Sequence, residues 1–360
     1  MISLEDKILG QQNFNVKFAD GAFDADGKLN PAWAEPDFED DFFTPVQHEP
    51  ELLKQSRVVT MSALMYDLDD LEINLDFDAQ RNTSTGESLP LTSNETVPDL
   101  KRKQLLAQPL QAMTSISRNF LLENISKEEF LSIYTSEVGK ATGPAVERFG
   151  VYADSSVSTQ TGEKTGFTMC NGLLAQAKAI AADSNNPAAG FAPLAYSNTA
   201  LEALLDAAEI YADQDGNMKN ANIVVPPQMY SKVVKDVAKR ESEFGDITLK
   251  DGKIPVIMGM EVVQDNVLRE TRHAWDTMKF DTTTGLPKGN GSNVDKLRYA
   301  FIGDPSNVCF GMLHDMEILN QWDIDILGYK VAVVGNVDAK IHRDVDTIVV
   351  PYTKNAKSNS

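Results

Sequence analysis

Asn222-Ile-Val-Val-Pro-Pro-Gln-Met-Tyr-Ser-Lys-Val-Val-Lys-Asp236 carries three structural signals in fifteen residues. Asn222-Ile-Val-Val225 is an apolar run of strand length, and Pro226-Pro227 ends it while fixing a φ suited to a first helical turn. Tyr230, Val233, Val234 and Val237 then fall on one helical face, with Lys232, Lys235, Asp236 and Lys239 on the other. The spacing predicts a short buried strand, a proline turn and an amphipathic helix. Upstream, Thr199-Ala-Leu-Glu202 is a capping box for a helix whose Leu201, Leu204, Leu205, Ala208 and Tyr211 share a face. The alanine-rich stretch 172–183 predicts another helix. Downstream, residues 255–263 predict a strand stretch broken at Gly259. This central region therefore reads as α/β.

Further out, Ser126-Lys-Glu-Glu129 caps a long helix carrying Phe130, Ile133, Tyr134, Val138 and Ala141 at helical spacing. Phe130, Ile133, Tyr134 and Val138 are its expected core residues. Gly143-Pro144 either ends or kinks this helix before Phe149. A polar linker, 154–164, follows. Earlier still, Asp70-Leu-Glu-Ile-Asn-Leu-Asp-Phe-Asp78 alternates strictly, with Leu71, Ile73, Leu75 and Phe77 on one side and acids or Asn on the other. A polar tip over 80–94 and a return over 95–116 complete a projecting hairpin, which is marginal in water without a neighbour. At the C-terminal end, residues 322–326, 331–334, 337–341 and 347–350 predict four β pieces, with Gly335-Asn336 as a tight turn. The stretch 281–293 reads as a long unstructured loop.

The 360 residues hold 53 Asp plus Glu against 33 Lys plus Arg, a formal charge of −20. That excludes a duplex-coating basic protein. The excess is concentrated: residues 1–100 carry 21 acidic and 6 basic side chains, net −15, leaving net −5 for the remainder. Prolines and glycines interrupt every apolar period in residues 1–50, while Trp33, Phe38, Phe42 and Phe43 recur as isolated anchors. Such a segment reads as an extended arm docked on a partner, since a disordered tail would carry fewer aromatics. Residues 1–7 lack the basic flank and apolar stretch of a secretory signal. The longest uncharged segment, 184–201, is broken by prolines and cannot span a bilayer, so no membrane partner is expected. Cys170 and Cys309 alone give neither a disulfide framework nor a metal module.

Chemistry-bearing motifs are absent. Asp213-Gln-Asp215-Gly216-Asn217 has its glycine in the wrong place for a calcium loop and reads as a polar turn. Gly289-Asn-Gly291 lacks the Lys-Ser or Lys-Thr of a phosphate loop. His48, His273, His314 and His342 lie far apart, outside any catalytic motif. No catalytic residue, metal ligand or cofactor-binding residue is assigned, and no cofactor is expected.

The order of acidic arm, long hairpin, long helix, α/β region and closing strands resembles the major capsid proteins of tailed bacteriophages, with the Hong Kong 97-type fold. The resemblance covers about 56–350. It rests on 105–122 leading into the helix 126–149, on 222–236, on 253–265, on Tyr299-Ala-Phe-Ile-Gly-Asp304 and on 324–350. It implies an α+β chain with an N-terminal arm (1–55), an extended hairpin loop (56–103) and a peripheral domain with a spine helix (104–160 and 316–353). An α/β axial domain (161–315) and a C-terminal tail (354–360) complete it. It further implies a non-enzymatic subunit that self-assembles as pentamers and hexamers of an icosahedral virion shell, formed in the host bacterial cytoplasm. The shell would enclose double-stranded DNA without sequence-specific contact, helped by a separate scaffolding protein and a portal. On this resemblance Leu71, Ile73, Leu75 and Phe77, with Trp33, Phe38, Phe42 and Phe43, are inter-subunit residues. No Lys lies between Lys54 and Lys101, so a hairpin crosslink has no lysine and the shell is expected to be non-covalent. The rival readings are an encapsulin-like nanocompartment shell and an acidic metal-dependent hydrolase.

Overall fold

The computed structural model describes residues 50–72, 99–117, 127–156, 165–182, 190–192, 199–214, 218–238, 256–269, 278–280, 287–290, 298–325 and 327–352. The arm residues Trp33, Phe38, Phe42 and Phe43 and the hairpin residues Ile73, Leu75 and Phe77 lie outside them. The chain opens with α1 (Glu51–Gln55), β1 (Arg57–Met61), β2 (Met65–Glu72), β3 (Asp99–Leu106) and β4 (Gln108–Ser117). It continues through α2 (Lys127–Tyr152), α3 (Leu173–Ala181), β5 (Gly190–Phe191), α4 (Ala200–Asp213), β6 (Asn222–Val225) and α5 (Pro227–Ala238). Next come β7 (Val256–Ile257), β8 (Met260–Gln264), β9 (Met278–Phe280), β10 (Pro287–Asn290) and β11 (Arg298–Gly303). The last strands are β12 (Val308–Asp323), β13 (Gly328–Ile341) and β14 (Thr347–Tyr352). Helices and strands segregate as in an α+β fold.

A six-stranded sheet ordered β5-β14-β11-β6-β8-β7 forms the centre. Its strands alternate between two cores. Ile223, Val225, Ala300, Ile302, Ile348 and Val350 face one cluster, shared with Leu204, Tyr211, Met229 and Val233 of α4 and α5. Val224, Tyr299, Phe301 and Val349 face the other, with Phe149 and Tyr152 of α2 and Leu173 and Leu174 of α3. Burial on both faces is why 222–225 is apolar without alternation. Each fully buried Val or Ile side chain contributes about 1.5–3 kcal/mol. The local signals hold: the side chain of Thr199 accepts from the Glu202 backbone N–H, and that of Glu202 accepts from Thr199 N. At the Gly259 break, Met258 and Gly259 take φ of 48° and 86° between the paired Ile257 and Met260. Two positive φ values in a two-residue loop are the geometry of a type I′ hairpin turn, and Gly259 supplies the residue most tolerant of it.

The second sheet has four strands ordered β1-β12-β13-β4, with β1 parallel to β12 and the other pairs antiparallel. Here the structure corrects several expectations. β13 runs unbroken from Gly328 to Ile341, so Gly335-Asn336 is not a turn. A Cβ at Gly335 would overlap Met316, placing Met316 Cε 3.1 Å away. The glycine therefore serves a close approach beside the irregularity between Leu313 and Glu317 in β12, where His314 has φ of 62°. The closing strands also divide, since β13 joins the four-stranded sheet and β14 the six-stranded one. The boundary drawn at 315/316 falls inside β12. The stretch 281–293 is not wholly loop, because Pro287–Asn290 pairs with Met278–Phe280.

Helix α2 passes through Pro144 and runs on to Tyr152, so Gly143-Pro144 does not end it. An internal proline costs about 3 kcal/mol, but Val146, Phe149, Val151 and Tyr152 beyond it are all buried, and their packing outweighs the loss. The core of this helix is that second half. Among the residues expected to form it, Ile133 is 42% exposed and Tyr134 and Val138 are only half-buried. The side chain of Phe130 lies outside the described residues. Tyr134 packs with Ile116 and Tyr329, and its hydroxyl is hydrogen-bonded to Thr114.

Gly150 lets α2 lie close against the four-stranded sheet: a Cβ there would overlap the Phe310 ring of β12 and sit 3.0 Å from Ala339 Cβ of β13. Gly150→Ala gains about 1 kcal/mol of helix propensity but overpacks this contact by about 1–3 kcal/mol. A lower denaturant midpoint is expected in equilibrium unfolding; an unchanged or raised one would contradict the packing.

Candidate assembly surfaces

The hairpin begins earlier than its alternation suggested. β2 starts at Met65, and the register with β3 pairs Met65 with Leu106, Asp67 with Gln104, Asp69 with Arg102 and Leu71 with Leu100 on one face. Tyr66 with Leu105, Leu68 with Lys103, Asp70 with Lys101 and Glu72 with Asp99 occupy the other. The second face is anchored near its base. Leu68 and Leu105 are buried with Val59, Met61, Ala107 and Cys309. Further along this face, Asp70 Oδ2 accepts from Arg343 Nε at 3.0 Å, and Arg343 Nη1 donates to Asp346 Oδ2 at 3.1 Å. Lys103 Nζ donates to the Ile341 carbonyl at 2.8 Å and pairs with Asp344. Asp70, at the start of the alternating stretch, thus meets a basic group of the same chain.

The first face is different. At its base, Asp67 and Asp69 pair with Arg102 across exposed strand surface. Leu100, directly opposite Leu71, is 56% exposed, as are Met65 and Leu106 at the near end of the same face to similar degrees. Among the described residues the chain thus buries one face of the ribbon near its base and leaves Met65, Leu106 and Leu100 exposed on the other. Leu100 carried no sequence signal of its own, since its role depends on the register with Leu71. Arg343 was also invisible, as it lies 273 residues from Asp70.

Two buried polar groups hold the segments that launch the hairpin. Asp338, in β13, accepts from Leu106 N at 2.8 Å and from Ala339 N at 2.9 Å, and burial raises its carboxyl above the ordinary range. Asn307 accepts from Arg343 N at 2.6 Å and donates to the Arg343 carbonyl and Thr347 Oγ1, both at 2.8 Å. This fixes the bend that presents Arg343 to Asp70.

A second exposed surface lies at the far end of the four-stranded sheet, away from the hairpin base. The rows Trp322–Tyr329–Ile116 and Ile318–Val333–Ala112 belong to the side bearing α2, since Gly139 of that helix approaches Ile318. Leu319, Ala332 and Met113 form a row on the opposite side, where Leu319 and Met113 are exposed. Among the described residues no group of three or more metal-ligating side chains converges, and no helix is long and apolar enough to cross a membrane.

No family model and no curated protein matches this chain. Solved structures do. The capsid of an empty GTA particle superposes with a TM-score of 0.55 at 15% identity, over 92% of this chain and 98% of that one. The capsid of cyanophage P-SCSP1u gives 0.52 at 12% identity, over 93% and 98%. The mature capsid of bacteriophage PhiM1 gives 0.52 at 9% identity, over 94% and 97%.

The two faces of the ribbon separate in a stability measurement on the dissociated chain. Leu105→Ala empties a buried site and is expected to cost about 2–5 kcal/mol. Leu100→Ala is expected to stay within about 0.5 kcal/mol of wild type. Comparable losses would show that the chain covers both faces by itself. The described architecture and these matches together identify the fold as the α+β Hong Kong 97-type fold of tailed-phage capsid proteins.

Proposed function

We propose that this chain is the major capsid protein of a tailed phage, assembling through pentamers and hexamers into an icosahedral shell around double-stranded DNA. The observation that carries the proposal is the hairpin's open face. Leu100, which the register places directly opposite Leu71, is 56% exposed on a ribbon too small to be stable alone. A closed symmetric assembly supplies cover from identical neighbours. The alternation of Ile73, Leu75 and Phe77 extends the same apolar side in sequence, and Trp33, Phe38, Phe42 and Phe43 are read as further anchors on adjacent subunits. The first half of the spine helix, with Ile133 exposed, is a third contact surface.

The role is structural, not catalytic. A net charge of −20 keeps packaged DNA from adhering to the shell, so DNA is enclosed without base-specific contact. Assembly in the reducing host cytoplasm, on a separate scaffolding protein and around a portal, is consistent with two free cysteines and an N-terminal segment of arm character. With no lysine between Lys54 and Lys101, the lattice is held without hairpin crosslinks.

Negative-stain microscopy of the expressed protein, alone and with its scaffold, is expected to show rings or shells; a monodisperse monomer under both conditions would overturn the proposal. Leu71→Asp with Leu100→Asp buries uncompensated charge at each contact, a cost of about 3–5 kcal/mol per charge, and is expected to leave a folded but unassembled chain. Particles filled with protein cargo, not DNA, would favour the nanocompartment.

A further inference from the structure

Glu147 and Asp265 are both 0% exposed, come from different elements, and meet at the root of the N-terminal segment. Glu147, in the second half of α2, accepts from Leu53 N through Oε2 at 2.9 Å, while its Oε1 has no hydrogen-bond partner. Asp265, just after β8, accepts from Leu52 N through Oδ2 at 3.0 Å and from Val267 N through Oδ1 at 2.7 Å. Its own N–H donates to the Val225 carbonyl, fixing it to the six-stranded sheet. Consecutive amides of α1 are thus held by carboxyls from the spine helix and from the central sheet. Leu52 between them is buried, and Gly143 makes room for Pro50, whose Cγ would lie 3.3 Å from a Cβ there. Residues 1–49 join the described chain at Pro50.

Two carboxylates cannot both stay charged in such a site without water or a cation. Around the pair, Glu51 of α1 adds like charge and is itself paired with Lys54 at 3.5 Å. Arg148 follows Glu147 in α2, and the side chain of Arg269, ending the turn after Asp265, lies outside the described residues.

We propose that Glu147 and Asp265 form a proton-dependent latch, which holds α1, and with it the departure point of residues 1–49, only while one proton is shared between the two carboxyls. Oε1, which accepts from no donor, is the atom left free to carry the proton shared with Asp265. Burial, the charge and hydrogen bond of Asp265, and the charge of Glu51 push the Glu147 carboxyl up to about 10. When α1 lifts away, Glu147 regains water and titrates in the ordinary carboxylate range. The closed state therefore binds one proton more than the open state between the ordinary range and about 10. The latch is tightest at low pH and weakens as pH rises, by up to about tenfold in the opening constant per pH unit.

Hydrogen exchange on the full chain, read at the Leu52 and Leu53 amides and corrected for intrinsic chemical exchange, tests this directly. Between about pH 6 and about pH 8, local opening is expected to rise well over tenfold and by at most about 100-fold. Glu147→Gln keeps an acceptor for Leu53 N and supplies an N–H for Asp265, so its opening is expected to be nearly independent of pH. The infrared carbonyl band of a protonated carboxylic acid is expected at neutral pH in wild type and not in Glu147→Gln. A pH-independent opening in wild type, or absence of that band, would overturn the latch. If the variant does not fold, the two wild-type measurements still decide.

Discussion

A two-stranded ribbon has two faces, and the described residues of this chain bury only one of them. Leu68 and Leu105 seal the inner face against Val59, Met61 and Cys309, and Arg343 holds Asp70 just beyond. On the opposite face of the described ribbon Met65, Leu106 and Leu100 are exposed.

The rest of the architecture serves to hold that ribbon at a fixed place. The long β12–β13 pair receives β1 on one side and β4 on the other, the two strands that lead into and out of the hairpin. Asp338 in β13 binds the Leu106 amide at the exit, and Asn307 shapes the bend that positions Arg343. Gly150 allows α2 to seat on Phe310 and Ala339, joining this sheet to the core beneath the six-stranded one. The hairpin cannot shift without disturbing strands paired into the four-stranded sheet.

Local chemistry was legible in the sequence wherever one element decided it. The Thr199–Glu202 capping box, the apolar run before Pro226 and the inward face of α5 hold as read. Gly335-Asn336 misled because a glycine that accommodates Met316 and a glycine that makes a turn look alike in one dimension. Of the two readings left open at Pro144, the ending of the helix is excluded by the packing of Phe149 and Tyr152, which is non-local. The ribbon of Met278–Phe280 with Pro287–Asn290 has too few residues to show an alternation. At the candidate surface, Leu71 was singled out by its alternation, whereas Leu100 required the register and Arg343 a contact across 273 positions.

The account stands or falls on what covers the ribbon's outer face when copies come together. A density map of assembled particles, resolved to side chains, answers this at Leu100. Atoms of an adjacent copy packed within van der Waals contact of Leu71 and Leu100 are the expected result. A map in which the same chain's residues 1–49 fold back over that face, or in which it stays open to solvent in the assembled particle, would contradict the account.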